Sequence, residues 1–314
     1  MKNLIEILGP TAVGKTDLSI KCAERYGSPI ISCDSRQMYK GMCIGTAAPN
    51  NDLLRRVKHY FIGNLELTDY YSAAIFEEEF MTLSSSLFKK HDTLVMCGGS
   101  MMYIDAVCKG IDEIPTITDE VRAKAVNDFN ELGLDALCEE LKLRDPELYK
   151  TIDLKNHKRV VHAIEVCRQT GKPFSDLRTN SKKERPFNII KIGLNIEREL
   201  LFERISKRTE QMIADGLIEE SKMLLPFRNL NSLNTVGYKE IFAYFDGIFT
   251  LDEAIEKIKR NTRVYAKKQL TWFKRDKDIT WFNPSDTEAV FEHIDMLIRN
   301  EKYEFTPSQL ITNN

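Results

Sequence analysis

The spacing of apolar residues changes period along the chain. Short apolar runs of strand length come first: Leu4-Ile5-Glu6-Ile7-Leu8, Pro29-Ile30-Ile31-Ser32-Cys33 and Thr93-Leu94-Val95-Met96-Cys97. Helical segments separate them, the first being Asp17-Leu18-Ser19-Ile20-Lys21-Cys22-Ala23. Such alternation over residues 1–112 predicts a parallel sheet built from βαβ units. From about Ile114-Pro115 the strand-like runs stop. Glu120–Glu131, Leu134–Leu143 and Asn156–Thr170 instead carry apolar residues three and four apart. The last of these opens on Lys155-Asn156-His157-Lys158-Arg159 and closes on Gly171-Lys172-Pro173. After the breakers Ser181-Lys182-Lys183-Glu184-Arg185-Pro186, strand character returns at Asn188–Leu194. The remainder reads mostly helical, with one helical run from Arg198 to Leu225 and a frayed tail after Pro307.

Between the first strand and the first helix stands Gly9-Pro10-Thr11-Ala12-Val13-Gly14-Lys15-Thr16, a full G-x-x-x-x-G-K-[ST] phosphate loop in its proper context. Glycines let backbone N–H groups surround a diphosphate at the positive end of a helix, Lys15 adds a point charge, and the Thr16 hydroxyl can ligate Mg²⁺. The expected fold is therefore α/β: a P-loop-containing parallel sheet core flanked by helices, from residues 1–112 and 186–314, with an inserted helical domain at 113–185.

In nucleotide-hydrolysing relatives of this loop, a second strand ends in an acid that holds the metal shell. Here the candidate strand runs instead into Gly98-Gly99-Ser100. The acid stands elsewhere, at the end of the strand before Asp34-Ser35-Arg36-Gln37. Ligands of open α/β sheets gather at the strands' carboxyl ends, so Thr16, Asp34 and Ser100 are expected to share one crevice. There Asp34 can serve as a general base or an outer metal partner, unless it is a turn residue.

Composition sets outer bounds. Charged residues make up 29%, hydrophobic residues 42%, and the formal net charge is −2. No apolar run approaches a membrane span, and no leader is expected ahead of the first strand. The seven cysteines form no C-x-x-C pair and the five histidines no H-E-x-x-H. That usage suits reduced thiols in the cytoplasm and argues against a zinc site. Charge is unevenly spread, however: Lys257 to Arg275 holds eight basic residues and no acidic one. On a helix, Arg260, Arg263, Lys267 and Lys274 fall within about a 60° stripe. Ile255, Ile258, Thr262, Tyr265, Gln269, Trp272 and Phe273 fall on the opposite, core-facing side. A stripe without acidic partners predicts contact with a polyanion. The basic start of the helix at Asn156–Thr170 opposes its dipole and suits phosphate or an RNA loop.

Several further runs carry a family resemblance. Gly9–Thr16, Asp34-Ser35 with Gln37-Met38-Tyr39-Lys40-Gly41-Met42 and Ile44-Gly45-Thr46-Ala47, and Gly98-Gly99-Ser100-Met101-Met102-Tyr103 resemble the bacterial-type tRNA dimethylallyltransferases (tRNA isopentenyltransferases). So do Lys158-Arg159-Val160-Val161-His162-Ala163-Ile164-Glu165-Val166, Arg208-Thr209-Glu210-Gln211-Met212, Val236-Gly237-Tyr238-Lys239-Glu240 and Lys267-Lys268-Gln269-Leu270-Thr271-Trp272-Phe273. The resemblance runs in order along nearly the whole chain.

It implies transfer of a dimethylallyl group from its diphosphate to N6 of the adenosine 3′-adjacent to the anticodon (position 37). It also implies that the phosphate loop binds an allylic diphosphate rather than transferring a γ-phosphoryl group, which accounts for the missing strand-end acid. Lys15, Thr16 with Mg²⁺, and Arg208 would stabilise the leaving diphosphate, and Asp34 would be the base. By the same resemblance Asp34, Ser35, Arg36 and Gln37 meet the entering nucleotide. Lys158, Arg159, Val160, Val161 and His162, with Asn234, Thr235, Val236, Gly237, Tyr238 and Lys239, meet neighbouring RNA, and Ser100 and Arg122 flank it. Position 100 is more often Thr in the family, and Ser keeps the hydroxyl. The implied partners are the anticodon stem-loop of tRNA and dimethylallyl diphosphate, with the chain acting as a cytoplasmic monomer. A P-loop kinase, an adenylate isopentenyltransferase or an RNA-binding module without transferase chemistry would share parts of this pattern. The kinase would need an acceptor-activating acid and a γ-phosphate clamp and would turn over ATP, the adenylate enzyme would have little use for the long basic helix or the insertion, and the binding module would not need Asp34.

Overall fold

The structure, a computed structural model, describes residues 2–112, 114–179 and 182–299. The breaker Ser181 and the tail after Pro307 lie outside the described residues. Six strands are present among them: β1 (Asn3–Leu8), β2 (Ile30–Cys33), β3 (His59–Tyr60), β4 (Thr93–Gly98), β5 (Asn188–Leu194) and β6 (Thr280–Phe282). They form one sheet in the order β3-β2-β4-β1-β5-β6, with every neighbouring pair parallel. Helices α1 (Lys15–Tyr26), α2 (Asn51–Arg56), α3 (Ala73–Leu87) and α4 (Met101–Lys109) accompany the first four strands. Helices α5 (Asp119–Arg144), α6 (Pro146–Thr151), α7 (His157–Thr170) and α8 (Phe174–Leu177) follow. After β5 come α9 (Arg198–Ala214), α10 (Leu217–Leu224), α11 (Tyr238–Phe245), α12 (Leu251–Phe273) and α13 (Thr287–Arg299).

Strand β1 is buried along its whole length, which is why it reads as an almost unbroken apolar run. Its residues still alternate between two layers. Ile5 and Ile7 pack with Leu18, Ile20 and Cys22 of α1, Leu201 and Ile205 of α9, and Val290 and Ile294 of α13. Leu4 and Leu8 pack on the other face with Phe76 and Phe80 of α3 and Ile104 and Val107 of α4. A third cluster joins α9 to α12 through Met212, Leu217, Leu224, Tyr238, Ile241 and Ile258.

The sequence pattern does not announce β3 or β6. The first is a two-residue edge strand with half-buried side chains, and the second has three residues of which only Phe282 is buried. The single helix expected from Arg198 to Leu225 is two. Gly216, at φ 102°, takes a backbone conformation closed to most L residues, and the chain turns there between α9 and α10.

The chain divides into two compact units, one drawn from both sides of the insertion and one formed by Lys109–Glu184. Within the second, Leu137 and Leu141 of α5 pack against Val160, Ala163 and Ile164 of α7. Helix α5 is interrupted at Gly133 (φ 82°, ψ 177°), so the two helical patterns on either side of residues 132–133 are distinct helical segments. Helix α7 is capped by the Asn156 side chain, which accepts from the Arg159 N–H, and ends on left-handed Gly171.

An ionisable carboxyl is set inside the sheet. Glu6, in the middle of β1, is fully buried. The Cys108 thiol donates to its Oε2 at 3.0 Å, while Oε1 has no hydrogen-bond partner. Burial pushes the carboxyl up from 4.5 to about 7, opposed by the Cys108 hydrogen bond and by Lys191. The unfolded chain therefore releases this proton at lower pH than the folded one, and stability is lost as pH rises from about 4.5 to about 7. Replacing Glu6 with Gln removes this titration. We expect urea unfolding of Glu6→Gln to lose this downward component of the pH dependence across that window, and the variant to gain on the parent by roughly 3 kcal/mol between pH 4.5 and pH 8. An unchanged pH dependence would contradict the assignment.

Candidate functional site

Strands β1 and β4 are neighbours, and the helices that follow them, α1 and α4, pack on opposite faces of the sheet. The crevice outside their carboxyl ends is the place where this topology gathers ligands. The phosphate loop wraps one side of it. Gly9 has φ 145°, and a Cβ there would stand 2.6 Å from the Leu194 carbonyl oxygen, so both conformation and space demand glycine. Lys15 folds back over the loop, its Nζ donating to the carbonyls of Gly9 (3.0 Å) and Pro10 (2.8 Å). Arg204 of α9 donates to the Val13 carbonyl at 3.0 Å. The Thr11 N–H donates to Gln269 Oε1 of α12 at 2.9 Å.

Three cavities that share lining residues cluster here, two of them bordering this loop. The first, about 270 Å³, is lined by Thr11, Ala12, Gly14, Lys15 and Thr16, and by Asp34, Gln37, Arg208 and Gln269. The second, about 340 Å³, is lined by Asp34, Ser35, Arg36, Arg208, Asn234, Thr235, Val236, Gly237, Lys239 and Tyr265, with Ile205 and Met212 as apolar wall. Asp34, Thr11, Thr46, Arg208 and Tyr265 belong to both and so stand at their junction. The third, about 370 Å³, holds Ser35, Arg36, Ser100, Met102 and the rings of Tyr39, Tyr71, Tyr103 and Tyr265.

The electrostatics of the first cavity favour an anion. Burial pushes the Lys15 ammonium down from 10.5 to about 8, and Arg208 acts in the same direction, against Cys97 and Asp34. Burial likewise lowers Arg208, opposed by Asp34. Guanidinium remains charged regardless, so two cations face one space. Among the described residues no group of three His, Cys, Asp or Glu side chains could hold a metal. Among the residues lining the first cavity, the Thr16 hydroxyl and the Asp17 and Asp34 carboxylates are hard oxygen donors, with Thr11, Thr46, Gln37 and Gln269 adding neutral ones. That set is suited to a hard cation sharing its shell with phosphate oxygens, and not to zinc.

Thr16 and Asp34 thus meet in one cavity as expected, while Ser100 lines the third. Its buried hydroxyl accepts from the Ser35 N–H at 2.8 Å and donates to the Ser35 hydroxyl at 3.2 Å. Asp34 Oδ1 accepts from the Arg36 N–H at 2.9 Å, a turn that holds the carboxylate at the cavity junction. The turn and base readings of Asp34 are therefore compatible. Arg36 reaches the carbonyls of Asn231 (2.8 Å) and Ser232 (3.0 Å). Gln37 donates to those of Thr46 and Ala47, both at 3.1 Å.

Other expectations need correction. Tyr238 is fully buried, its hydroxyl donating to Glu220 Oε1 at 2.6 Å, so it presents no side chain to RNA. Val160 is fully buried in the helical unit for the same reason that α7 is amphipathic. Val161 is half-buried, and Lys158, Arg159 and His162 are exposed on that helix. Arg122 lies in the first turn of α5 and is part-buried. On α12, Arg260 and Lys267 are exposed, but Arg263 lies over the Phe202 ring at 5.5 Å and donates to the Ser206 hydroxyl at 3.0 Å. Tyr265, placed by helical spacing on the core side, stands in the crevice instead. The width of a helical face leaves its flank free to line a cavity.

Three participants were not singled out from the sequence. Arg204 had no signal beyond its helix. Glu220 accepts from the N–H groups of Cys43, Ile44 and Gly45 at 2.8–3.0 Å and so fixes the loop that reaches Thr46. Gln269 had a usable signal: it is a carboxamide set in an otherwise apolar face.

Residues 37–276 match the family model described as IPP transferase. The chain is 60% identical over 298 residues to tRNA dimethylallyltransferase 2 of Parabacteroides distasonis, covering 95% of this chain and 100% of that one. The solved structure of the full-length tRNA isopentenylpyrophosphate transferase from Bacillus halodurans superposes with a TM-score of 0.70 at 33% identity, covering 96% of this chain and 98% of that one. A eukaryotic dimethylallyltransferase captured acting on tRNA shares the fold, with a TM-score of 0.84 at 23% identity over 97% of this chain and 81% of that one.

The depressed Lys15 gives a pH signature. The protein loses the Lys15 proton at about pH 8, so affinity for inorganic diphosphate should fall as pH rises through that value, approaching about tenfold per pH unit. In Lys15→Met the affinity should be lower throughout and this component of the pH dependence absent. Isothermal titration between pH 7 and 10 measures both. Identical pH profiles for parent and variant would contradict the assignment.

Proposed function

The chain belongs to the IPP transferase family, the tRNA dimethylallyltransferases, and on that premise we propose how its own residues carry out the reaction. The donor is dimethylallyl diphosphate and the acceptor is N6 of the adenosine 3′-adjacent to the anticodon, giving N6-isopentenyladenosine. The observation that carries this reading is the junction. A cavity with two cations meets a second cavity, of a size that takes a small ligand, and a carboxylate stands where they join.

The diphosphate occupies the first cavity, held by the loop and the α1 N-terminus, with Lys15 and Arg208 against its charge. Ionisation of the allylic C–O bond moves negative charge onto the leaving oxygen, so these contacts strengthen toward the transition state. The Thr16 hydroxyl, with donor oxygens, would hold a Mg²⁺ ion, which would supply further charge neutralisation of the leaving group. The adenine enters through the second cavity. Its N6 lone pair is delocalised into the ring, and Asp34, oriented by the Arg36 N–H, accepts a proton as the C–N bond forms. The base must leave its stack to reach this depth, at a cost of a few kcal/mol that is least in a single-stranded loop.

Anticodon stem-loop phosphates are met by Arg260, Lys267 and Lys239, and on the helical unit by Lys158, Arg159 and His162. One chain carries the donor loop, the carboxylate and the basic helix, which supports action as a monomer. Free and mostly buried cysteines support a reducing cytoplasm.

Asp34→Asn keeps the size of the side chain and its acceptor for Arg36, but cannot take a proton at neutral pH. We expect single-turnover transfer to an anticodon stem-loop at saturating substrates to slow by roughly 10²–10⁴-fold, with both affinities retained and no rescue across a Mg²⁺ series. A near-parental rate would leave Asp34 as a turn residue. Full recovery with added Mg²⁺ would make it a metal partner.

A further inference from the structure

Gln269 has a place that the transfer chemistry above does not use. It is 2% exposed on the inner face of α12, and a buried carboxamide is tolerated only when its polar atoms are bonded. Both are. Oε1 accepts from the Thr11 N–H at 2.9 Å, and Nε2 donates to the Gly99 carbonyl at 2.8 Å. The orientation of the amide is dictated by its partners, since one offers only a proton and the other only a lone pair. One side chain therefore joins the loop after β1 to the loop after β4, the two strand ends that bound the diphosphate cavity. Gly99 is fitted to it: a Cβ there would stand 2.4 Å from Gln269 Nε2.

The helix that carries this carboxamide is also the basic one. Lys267 lies two residues before Gln269 with its side chain exposed, and Tyr265, four residues before, lines all three cavities. Three residues after Gln269, Trp272 donates from Nε1 to Asp105 of α4 at 2.8 Å, so this end of α12 is tied to the sheet's other layer as well. A polyanion docked on the outer face of α12 and a diphosphate in the loop thus act on the two ends of one short hydrogen-bonded link.

We propose that Gln269 is a positioning residue: it holds the Thr11 amide against Gly99 and makes diphosphate affinity depend on what is docked against α12. The proposal rests on the transferase reading for the identity of the two ligands. The coupling is positive, because RNA seated on α12 restrains the helix whose Gln269 holds the Thr11 amide, so both ligands favour one arrangement of that link. A carboxamide suits this place and its nearest replacements do not. Glu would face the Gly99 carbonyl with a carboxylate and add a negative charge beside the diphosphate, and Met would fill the space while breaking both bonds.

The test is a two-ligand binding cycle on the full chain. Dimethylallyl diphosphate affinity is measured alone and with a saturating anticodon stem-loop whose target adenosine is replaced by purine riboside, which has no amine to react. In the parent the stem-loop should tighten the diphosphate by about fivefold or more, and in Gln269→Met by less than about twofold, with stem-loop affinity itself nearly unchanged. Gly99→Ala displaces the carboxamide without removing it. It should reproduce the loss, and the double variant should lose no more than either alone. Coupling that persists in folded Gln269→Met overturns the proposal. So does a parent that binds the two ligands independently, or a variant that loses both affinities together, the mark of a merely structural role. A parent that binds neither ligand contradicts the transferase reading itself and the Gln269 proposal with it.

Discussion

Lys15 and Arg208 share one cavity, and the surrounding architecture follows from the difficulty of that arrangement. Two cations drawn out of water near one another are destabilising, as the depression of Lys15 to about pH 8 records. The protein makes the pair tolerable with rigid partners. The carbonyls of Gly9 and Pro10 take the ammonium, Arg204 braces the loop from behind through the Val13 carbonyl, and Asp34 opposes both charges from across the cavity. Each brace comes from a different segment, which is why the site needs the sheet and helix α9 together.

The same arrangement separates the roles of the two cavities. On the proposed reading, negative charge that grows on a leaving group meets fixed cations on one side of Asp34, and a neutral base that must shed a proton meets the carboxylate on the other. Asp34 can do this only because it ends β2, one strand beyond β4, so that its turn projects over the crevice. Ser100, at the end of β4, fastens that turn through the Ser35 N–H. Glu220 performs the equivalent service for the loop carrying Gly45 and Thr46 by accepting three backbone protons at once. A carboxylate spent on backbone amides in this way stabilises an irregular loop more than a surface ion pair would.

The parts of this architecture that a sequence exposes are those set by local rules. The phosphate loop is written in glycine and lysine, β5 is bounded by breakers and reads residue for residue, and α7 carries its own cap signals at Asn156 and Gly171. The helical insertion shows as a change of period. The parts that stay hidden depend on partners distant in the chain. Nothing near Tyr238 indicates that Glu220 will take its hydroxyl, and helical spacing cannot decide whether Tyr265, at the flank of a face, meets core or cavity. Edge strands as short as β3 and β6 carry too few buried positions to register as a pattern. Arg263 shows the limit of charge counting: its place in a basic stripe was legible, but its commitment to Phe202 and Ser206 was not.

The account stands most directly on the identity of the transferred group and the atom that receives it. Purified protein, dimethylallyl diphosphate, magnesium and an unmodified anticodon stem-loop, followed by nuclease digestion and mass spectrometry, test both at once. The account predicts one diphosphate released for each adenosine modified, with a single adenosine carrying a dimethylallyl group in place of one N6 hydrogen, and no modification when that adenosine is replaced by purine riboside. Transfer to free AMP in preference to the stem-loop, or turnover of ATP with no change in the RNA, would contradict it.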